Sequence, residues 1–220
     1  YGYANLETGA KITPETVFDL GSLSKQFTAI AILEIVLDKK LALTDLLSKF
    51  FRGLPRYADS ITVADLIHHT SALPSYTDIY VASRLAAEGW YDQAMAEPDH
   101  WYPKMSNRKR KEITNKDVLD WIATQKLLPR QPDTEYEYSN SGYVVLAQLV
   151  SKLTRKRFAE FLKHHIFSNL MMKDTYVFDE VCRFPAAATE IVNHAKCYNR
   201  VSGRFVPVGY TPLNFITGDG

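Results

Sequence analysis

The residues whose types and spacing suit covalent chemistry are Ser22 and Lys25, in the stretch Phe18-Asp19-Leu20-Gly21-Ser22-Leu23-Ser24-Lys25-Gln26-Phe27-Thr28-Ala29. A hydroxyl is a weak nucleophile until a base within reach takes its proton. Residues three apart on a helix share a face, so the amine of Lys25 can meet the Ser22 hydroxyl within one turn. The positive end of the helix dipole favours an alkoxide developing on Ser22. The run Gln26 to Leu37 that follows is apolar nearly all round and is expected in a core. That would bury Lys25, and a buried ammonium is costly unless it is paired or has lost its proton. Lys25 is therefore expected as acceptor of the Ser22 proton or as a partnered cation beside it.

Spacing alone does not settle this, because Ser106-Asn107-Arg108-Lys109 fits the same pattern. That second match lies in the polar, basic run Lys104 to Lys111, where a Ser and a Lys are simply solvated. Ser22 differs in its setting: strand-like Thr16-Val17-Phe18-Asp19-Leu20, then Gly21, then the apolar helix.

A second group of polar residues opens a second apolar helix. Tyr136-Glu137-Tyr138-Ser139-Asn140-Ser141-Gly142-Tyr143 leads into Val144 to Val150. Asn140 or Ser141 makes a good N-cap, and Tyr138 can be read as ordinary packing with its hydroxyl at the edge. Tyr3-Ala4-Asn5 repeats the Tyr-x-Asn pattern, so this motif too is weak by itself. The adjacent His68 and His69 point in different directions on a helix and fit the end of one better than a metal site. No metal or cofactor is expected.

The elements that must position these residues read as follows. Tyr1 to Asn5 and Leu6-Glu7-Thr8-Gly9 read as a strand end and its turn. Lys39-Lys40 closes the nucleophile helix, and Thr44-Asp45 starts a short helix through Phe51. Thr62-Val63-Ala64-Asp65 and Thr114-Asn115-Lys116-Asp117 are capping boxes, the second starting a helix through Gln125. Ala72 to Tyr102, rich in aromatics, reads as a long loop of the kind that lines binding sites.

With 26 Lys plus Arg against 25 Asp plus Glu, there is no electrostatic footprint for nucleic acid or an anionic membrane. The sequence has no apolar stretch of membrane-spanning length. Cys182 and Cys197 are too few for a disulfide scaffold, although one bridge is open to them. Compartment and oligomeric state are not legible.

Together these motifs are more specific than any one. A Ser-x-x-Lys at the head of one buried helix and a Tyr-Ser-Asn at the mouth of another resemble the serine β-lactamase and penicillin-binding-protein superfamily. The resemblance is to the branch holding class C β-lactamases, D-alanyl-D-alanine carboxypeptidases and related esterases. Gly2-Tyr3-Ala4-Asn5, His69-Thr70-Ser71-Ala72-Leu73-Pro74, Ile113-Thr114 and Gly218-Asp219-Gly220 look like further landmarks, so the likeness runs from first residue to last.

The resemblance implies an α/β (α+β) fold: an antiparallel sheet flanked by helices, with a mostly helical subdomain inserted and the active site between them. Residues 1–220 would form one partial catalytic domain, with 1–40 in the α/β region, 41–180 the helical subdomain, and 181–220 returning to the α/β region. Ser22 would be acylated. Lys25 or Tyr138 would take its proton, and Tyr138 would later donate to the leaving group. Asn140 would orient a substrate amide and hold Lys25, and the Ser22 N–H would supply half of an oxyanion hole. The implied partner is a small acyl substrate (ester, peptide or β-lactam), with no nucleic acid. A periplasmic or secreted location accords with the family.

Two departures stand out. Ala72 and Asp133 occupy positions where the family usually has Gly, and an L-residue is strained there if the backbone needs a positive φ. No Lys-Thr-Gly or His-x-Gly string occurs; Glu7-Thr8-Gly9 and Ile216-Thr217-Gly218 lack the cation. The chain therefore reads as truncated at both ends, with part of the sheet over the Ser22 helix missing and little activity expected of these residues alone. A non-catalytic relative that keeps the fold as a binding or structural module is the alternative.

Overall fold

The computed structural model describes residues 1–81, 113–178, 192–201, 203–207 and 217–218. In chain order the main elements are β1 (Tyr3–Asn5), β2 (Ala10–Lys11), α1 (Lys25–Leu37), α2 (Val63–His68), α3 (Asn115–Ile122), α4 (Asn140–Thr154), α5 (Phe158–Leu162), β3 (Tyr198–Val201) and β4 (Arg204–Pro207). The strands form two antiparallel pairs, β1 with β2 and β3 with β4.

Helix α4 is the axis of the core, and α1, α2, α3 and α5 pack on it. Every residue from Ser141 to Ala147 is buried, as are Leu149 and Val150. A helix apolar on all sides can be satisfied only by neighbours on all sides. Ile32 and Ile35 of α1, Leu66 of α2, Val118 and Ile122 of α3, and Phe161 and Leu162 of α5 supply them.

Helices α2 and α3 begin with capping boxes, as the sequence predicts. Thr62 N–H donates to Asp65 Oδ2 at 2.8 Å and Asp65 N–H to Thr62 Oγ1 at 3.2 Å. Thr114 and Asp117 repeat the exchange at 2.9 and 3.3 Å. These bonds satisfy N–H groups that a helix start otherwise leaves orphaned. Helix α2 stops where His69 turns left-handed at φ 59°. Helix α3 ends at Ile122, short of Gln125, and Gln125 N–H closes a tighter turn on Ile122 O at 3.0 Å.

Two expected elements are not formed. Thr16 to Leu20 is not a strand; Val17 alone makes a parallel bridge, to His194. Val17 N–H donates to Asn193 O at 3.0 Å and its carbonyl accepts Ala195 N–H at 2.8 Å, so the pairing is confined to that residue. The helix expected from Thr44 to Phe51 shrinks to a 3-10 turn at Leu47–Lys49. Its backbone is engaged elsewhere, with Leu46 bridging Thr62 and Leu47 N–H donating to Ile61 O at 2.9 Å.

Helix α1 is also not enclosed as its sequence predicts. Lys25, Thr28, Ala31, Ile32 and Ile35 are buried against the core, whereas Ile30, Leu33 and Leu37 on its outer side are 41%, 44% and 80% exposed. Among the described residues, no helix is long and apolar enough to cross a membrane.

Candidate active site

Ser22 lies in a 3-10 turn, Gly21–Ser24, that runs directly into α1 at Lys25. Gly21 enters the turn at φ 52°, a conformation glycine adopts without a Cβ penalty. The i, i+3 spacing places both side chains on one face, and Lys25 Nζ donates to Ser22 Oγ at 3.2 Å. Ser22 is exposed while Lys25 is only 7% exposed, so a solvent-facing hydroxyl rests on a buried amine.

Tyr138 lies just ahead of α4, 116 positions from Ser22. Its Oη lies 2.6 Å from Ser22 Oγ, close enough for either oxygen to donate. Lys25 Nζ stands 5.0 Å from the centre of the Tyr138 ring and 5.5 Å from that of Tyr143, a cation–π arrangement with both. Ser22 Oγ thus touches a hydroxyl and an amine at once.

His69 braces Tyr138 from behind. Its carbonyl accepts Glu137 N–H at 2.7 Å and its Nδ1 accepts Ser139 N–H at 3.1 Å, so it holds the residue on each side of Tyr138. The imidazole centroid is 4.4 Å from the Tyr138 ring and 5.1 Å from the Tyr143 ring. Burial, and then the nearby charge of Lys25, push the His69 pKa below its ordinary value.

Asn140 is the first residue of α4, but neither it nor Ser141 caps the helix with its side chain. The cap position is Ser139, and no side-chain bond is made there. Asn140 Nδ2 donates to Thr77 Oγ1 at 3.2 Å and its N–H to Ser75 Oγ at 3.3 Å. Ser75 and Thr77 share a hydrogen bond of 2.8 Å. Asn140 Oδ1 is buried without a hydrogen-bond partner among the described residues, so it does not hold Lys25 by that oxygen. Ser141 Oγ donates to Pro74 O at 2.7 Å and accepts Tyr76 N–H at 2.9 Å, tying α4 to the segment after α2.

Chemically, the cluster can pass the Ser22 proton to a neighbour 2.6 or 3.2 Å away, with a buried amine beside the charge that results. The Beta-lactamase family model matches residues 1–213. The chain belongs to the Beta-lactamase family.

Its relatives in that family include a penicillin-binding protein of Bacillus subtilis (strain 168), 30% identical over 182 residues that cover 81% of this chain and 34% of that protein. A D-aminopeptidase of Brucella ovis is 28% identical over 191 residues, 82% of this chain and 31% of that one. Among solved structures, the octameric penicillin-binding protein homologue from Pyrococcus abyssi superposes with a TM-score of 0.74 at 28% identity, over 100% of this chain and 44% of that chain. The chain spans about a third of the length of these curated relatives. The fold is thus β-lactamase/transpeptidase-like, its antiparallel sheet represented among the described residues only by the β1-β2 and β3-β4 pairs.

Both departures from the family's glycines fall where the backbone is left-handed: Ala72 has φ 55° and Asp133 φ 62°. Thr217 and Asn115, each next to a landmark of the family, meet in space. Thr217 N–H donates to Asn115 Oδ1 at 2.8 Å, and Asn115 Nδ2 returns a bond to Thr217 O at 3.0 Å. Gly218 O accepts Thr28 Oγ1–H of α1 at 2.7 Å. Residues 217–218 therefore strap the nucleophile helix to α3 and α4.

The sequence motifs mark His69, Asn115 and Gly218 but give them no part in the site; their contacts span 70, 102 and 190 positions, which no local pattern encodes. The motifs overlook Ser75, Thr77 and Thr28; the adjacency of Ser75 and Thr77 to the His-Thr-Ser landmark is the signal that points to the first two. Cys182, Ser106, the basic run Lys104 to Lys111 and most of the aromatic segment, from residue 82 to 102, lie outside the described residues.

Proposed function

We propose that this chain carries the acyl-transfer centre of a serine hydrolase that forms an acyl-enzyme on Ser22 with an ester, amide or β-lactam substrate. The observation that carries the reading is the triple contact at Ser22 Oγ: Tyr138 Oη at 2.6 Å, Lys25 Nζ at 3.2 Å, and solvent on the open side. The kinship with a penicillin-binding protein and a D-aminopeptidase supports the substrate range. Ser22 comes from the 1–40 region and Tyr138 from the 41–180 region, which accords with a site between two subdomains.

In the reaction, Ser22 Oγ bonds to the substrate carbonyl carbon as its proton passes to Tyr138 acting as phenolate, the Lys25 charge offsetting the negative charge in transit. The carbonyl bond to the leaving nitrogen or oxygen breaks, and the leaving group takes the proton from Tyr138. Water then attacks the ester carbonyl and gives its proton to Tyr138, the bond from the carbonyl to Ser22 Oγ breaks to release the acid, and Ser22 Oγ takes the proton back. Asn140, two residues after Tyr138 at the start of α4, would orient the substrate amide.

Intact mass of the full-length protein after incubation with a fluorophosphonate, and separately with a penicillin, tests this. An adduct that vanishes in Ser22→Ala and persists in Ser106→Ala is expected. A folded protein that takes neither label would point to a non-catalytic relative of the fold.

A further inference from the structure

We propose that His69 is the positioning residue for Tyr138, and that it does this only as the neutral imidazole; the inference rests on the reading of Ser22 and Tyr138 given above.

Three contacts define the brace. The His69 carbonyl and Nδ1 take the N–H groups of Glu137 and Ser139, so the backbone on either side of Tyr138 hangs on one residue. The imidazole lies against the Tyr138 ring at 4.4 Å and a 31° tilt, which sets how the phenol leans toward Ser22. The left-handed φ of 59° that ends α2 is what turns both His69 acceptors toward this segment, and His and Asn tolerate that conformation better than most residues.

Nδ1 can accept the Ser139 N–H only while it keeps its lone pair, which places the single ring proton on Nε2. A second proton would make Nδ1 a donor facing a donor, and would put a second cation behind the two rings already facing Lys25. The charged and titratable groups around it act in the same sense or are occupied. Lys25 on α1 repels a second positive charge. Tyr136, Tyr138 and Tyr143 contribute rings at 5.8, 4.4 and 5.1 Å. The Glu137 carboxylate pairs with Arg130 at 3.0 Å. Asp65 on α2 accepts from Thr70 and Thr62 hydroxyls at 3.0 and 2.6 Å. Protonating His69 therefore releases Ser139, and Tyr138 loses its register with Ser22.

The test follows the rate of Ser22 labelling by a fluorophosphonate in the full-length protein across about pH 5 to 8, the window of imidazole titration. The unmodified protein should show a one-proton loss of rate toward acid pH. His69→Asn can present Oδ1 near the Nδ1 position, fits the left-handed backbone and does not titrate. It should label within about tenfold of the unmodified rate at the top of the range, with the acid loss gone. An acid loss unchanged in folded His69→Asn would overturn the proposal.

A second measurement is independent of labelling and of the variant's folding. In the unmodified protein, NMR should show the Ser139 amide signal and its hydrogen exchange moving with the His69 imidazole titration. A Ser139 amide indifferent to that titration also overturns the proposal. If no label forms at any pH, the hydrolase reading fails, while the amide measurement still decides whether His69 braces Tyr138 as a neutral ring.

Discussion

Tyr138 and Lys25 can be separated by chemistry at single-atom cost. Tyr138→Phe keeps the ring against His69 and the cation–π face toward Lys25, and removes only the oxygen 2.6 Å from Ser22 Oγ. Loss of one proton-transfer group is expected to slow labelling by about 10²- to 10⁴-fold. Because the residue is 38% exposed, the thermal midpoint should stay nearly unchanged. A Tyr138→Phe protein that labels at the original rate would remove Tyr138 from the mechanism.

The left-handed residues invite a different kind of test. Arg155 ends α4 at φ 56° with an exposed side chain. A non-glycine residue in that conformation costs about 1–2 kcal/mol, partly offset by the extra freedom glycine gains on unfolding. Arg155→Gly should therefore stabilise by about 0.5–1 kcal/mol, read as a urea midpoint shift. Ala72 shares the strain at φ 55° but is buried, so glycine there would forfeit the burial of a methyl group worth about 0.8 kcal/mol and come out near neutral.

At the scale of elements, Tyr57 shows how one side chain secures a helix end. Its hydroxyl donates at 2.7 Å to Ile122 O, the carbonyl at the end of α3 that also accepts Gln125 N–H. Burial pushes the phenol up to about 12, above its unfolded value. The folded form thus resists deprotonation, and this contribution to stability is complete below about pH 10 and lost as pH rises from there toward 12. Tyr57→Phe should lower stability by about 1 kcal/mol at neutral pH and flatten the alkaline decline in a pH series of denaturant melts.

The strap at 217–218 is a harsher case. A Cβ on Gly218 would fall 2.5 Å from Tyr143 O and 2.6 Å from the Ala147 methyl, at φ 107°. Gly218→Ala should destabilise by at least about 2 kcal/mol and loosen α1 from α4, with labelling at Ser22 falling alongside the melting midpoint.

What the sequence makes legible divides along these lines. Local chemistry is readable: the Thr62 and Thr114 capping boxes, the Ser22 and Lys25 pairing and the end of α2 at His69 are all set within four or five residues. The strand expected from Thr16 to Leu20 is reduced to a one-residue bridge at Val17, whose partner, His194, lies 177 positions away. Tyr138 is assigned only through its family likeness, since its partner is 116 positions away. The positive φ at Ala72 and Asp133 was legible as a conflict between residue type and the family's glycine, and both angles lie in the left-handed region.

At the scale of the whole molecule, the discrepancy is at α1. Its sequence is apolar nearly all round, yet Ile30, Leu33 and Leu37 face outward, with Leu23 (64% exposed) in the adjoining turn and Phe18 (48%) and Leu20 (41%) just before it. Exposed apolar side chains of this kind are costly in water and promote association. Hydropathy shows that a helix is apolar; only its neighbours decide whether each side is covered. The 220 residues by themselves should therefore bind a dye such as ANS and self-associate at micromolar concentration. Leu33→Glu with Leu37→Glu should reduce both, since Leu37 is 80% and Leu33 44% exposed and the charge is added where little packing is lost. Light scattering coupled to gel filtration reads the association directly. A monomeric, dye-silent 220-residue chain would mean that this face is covered in solution by the chain itself.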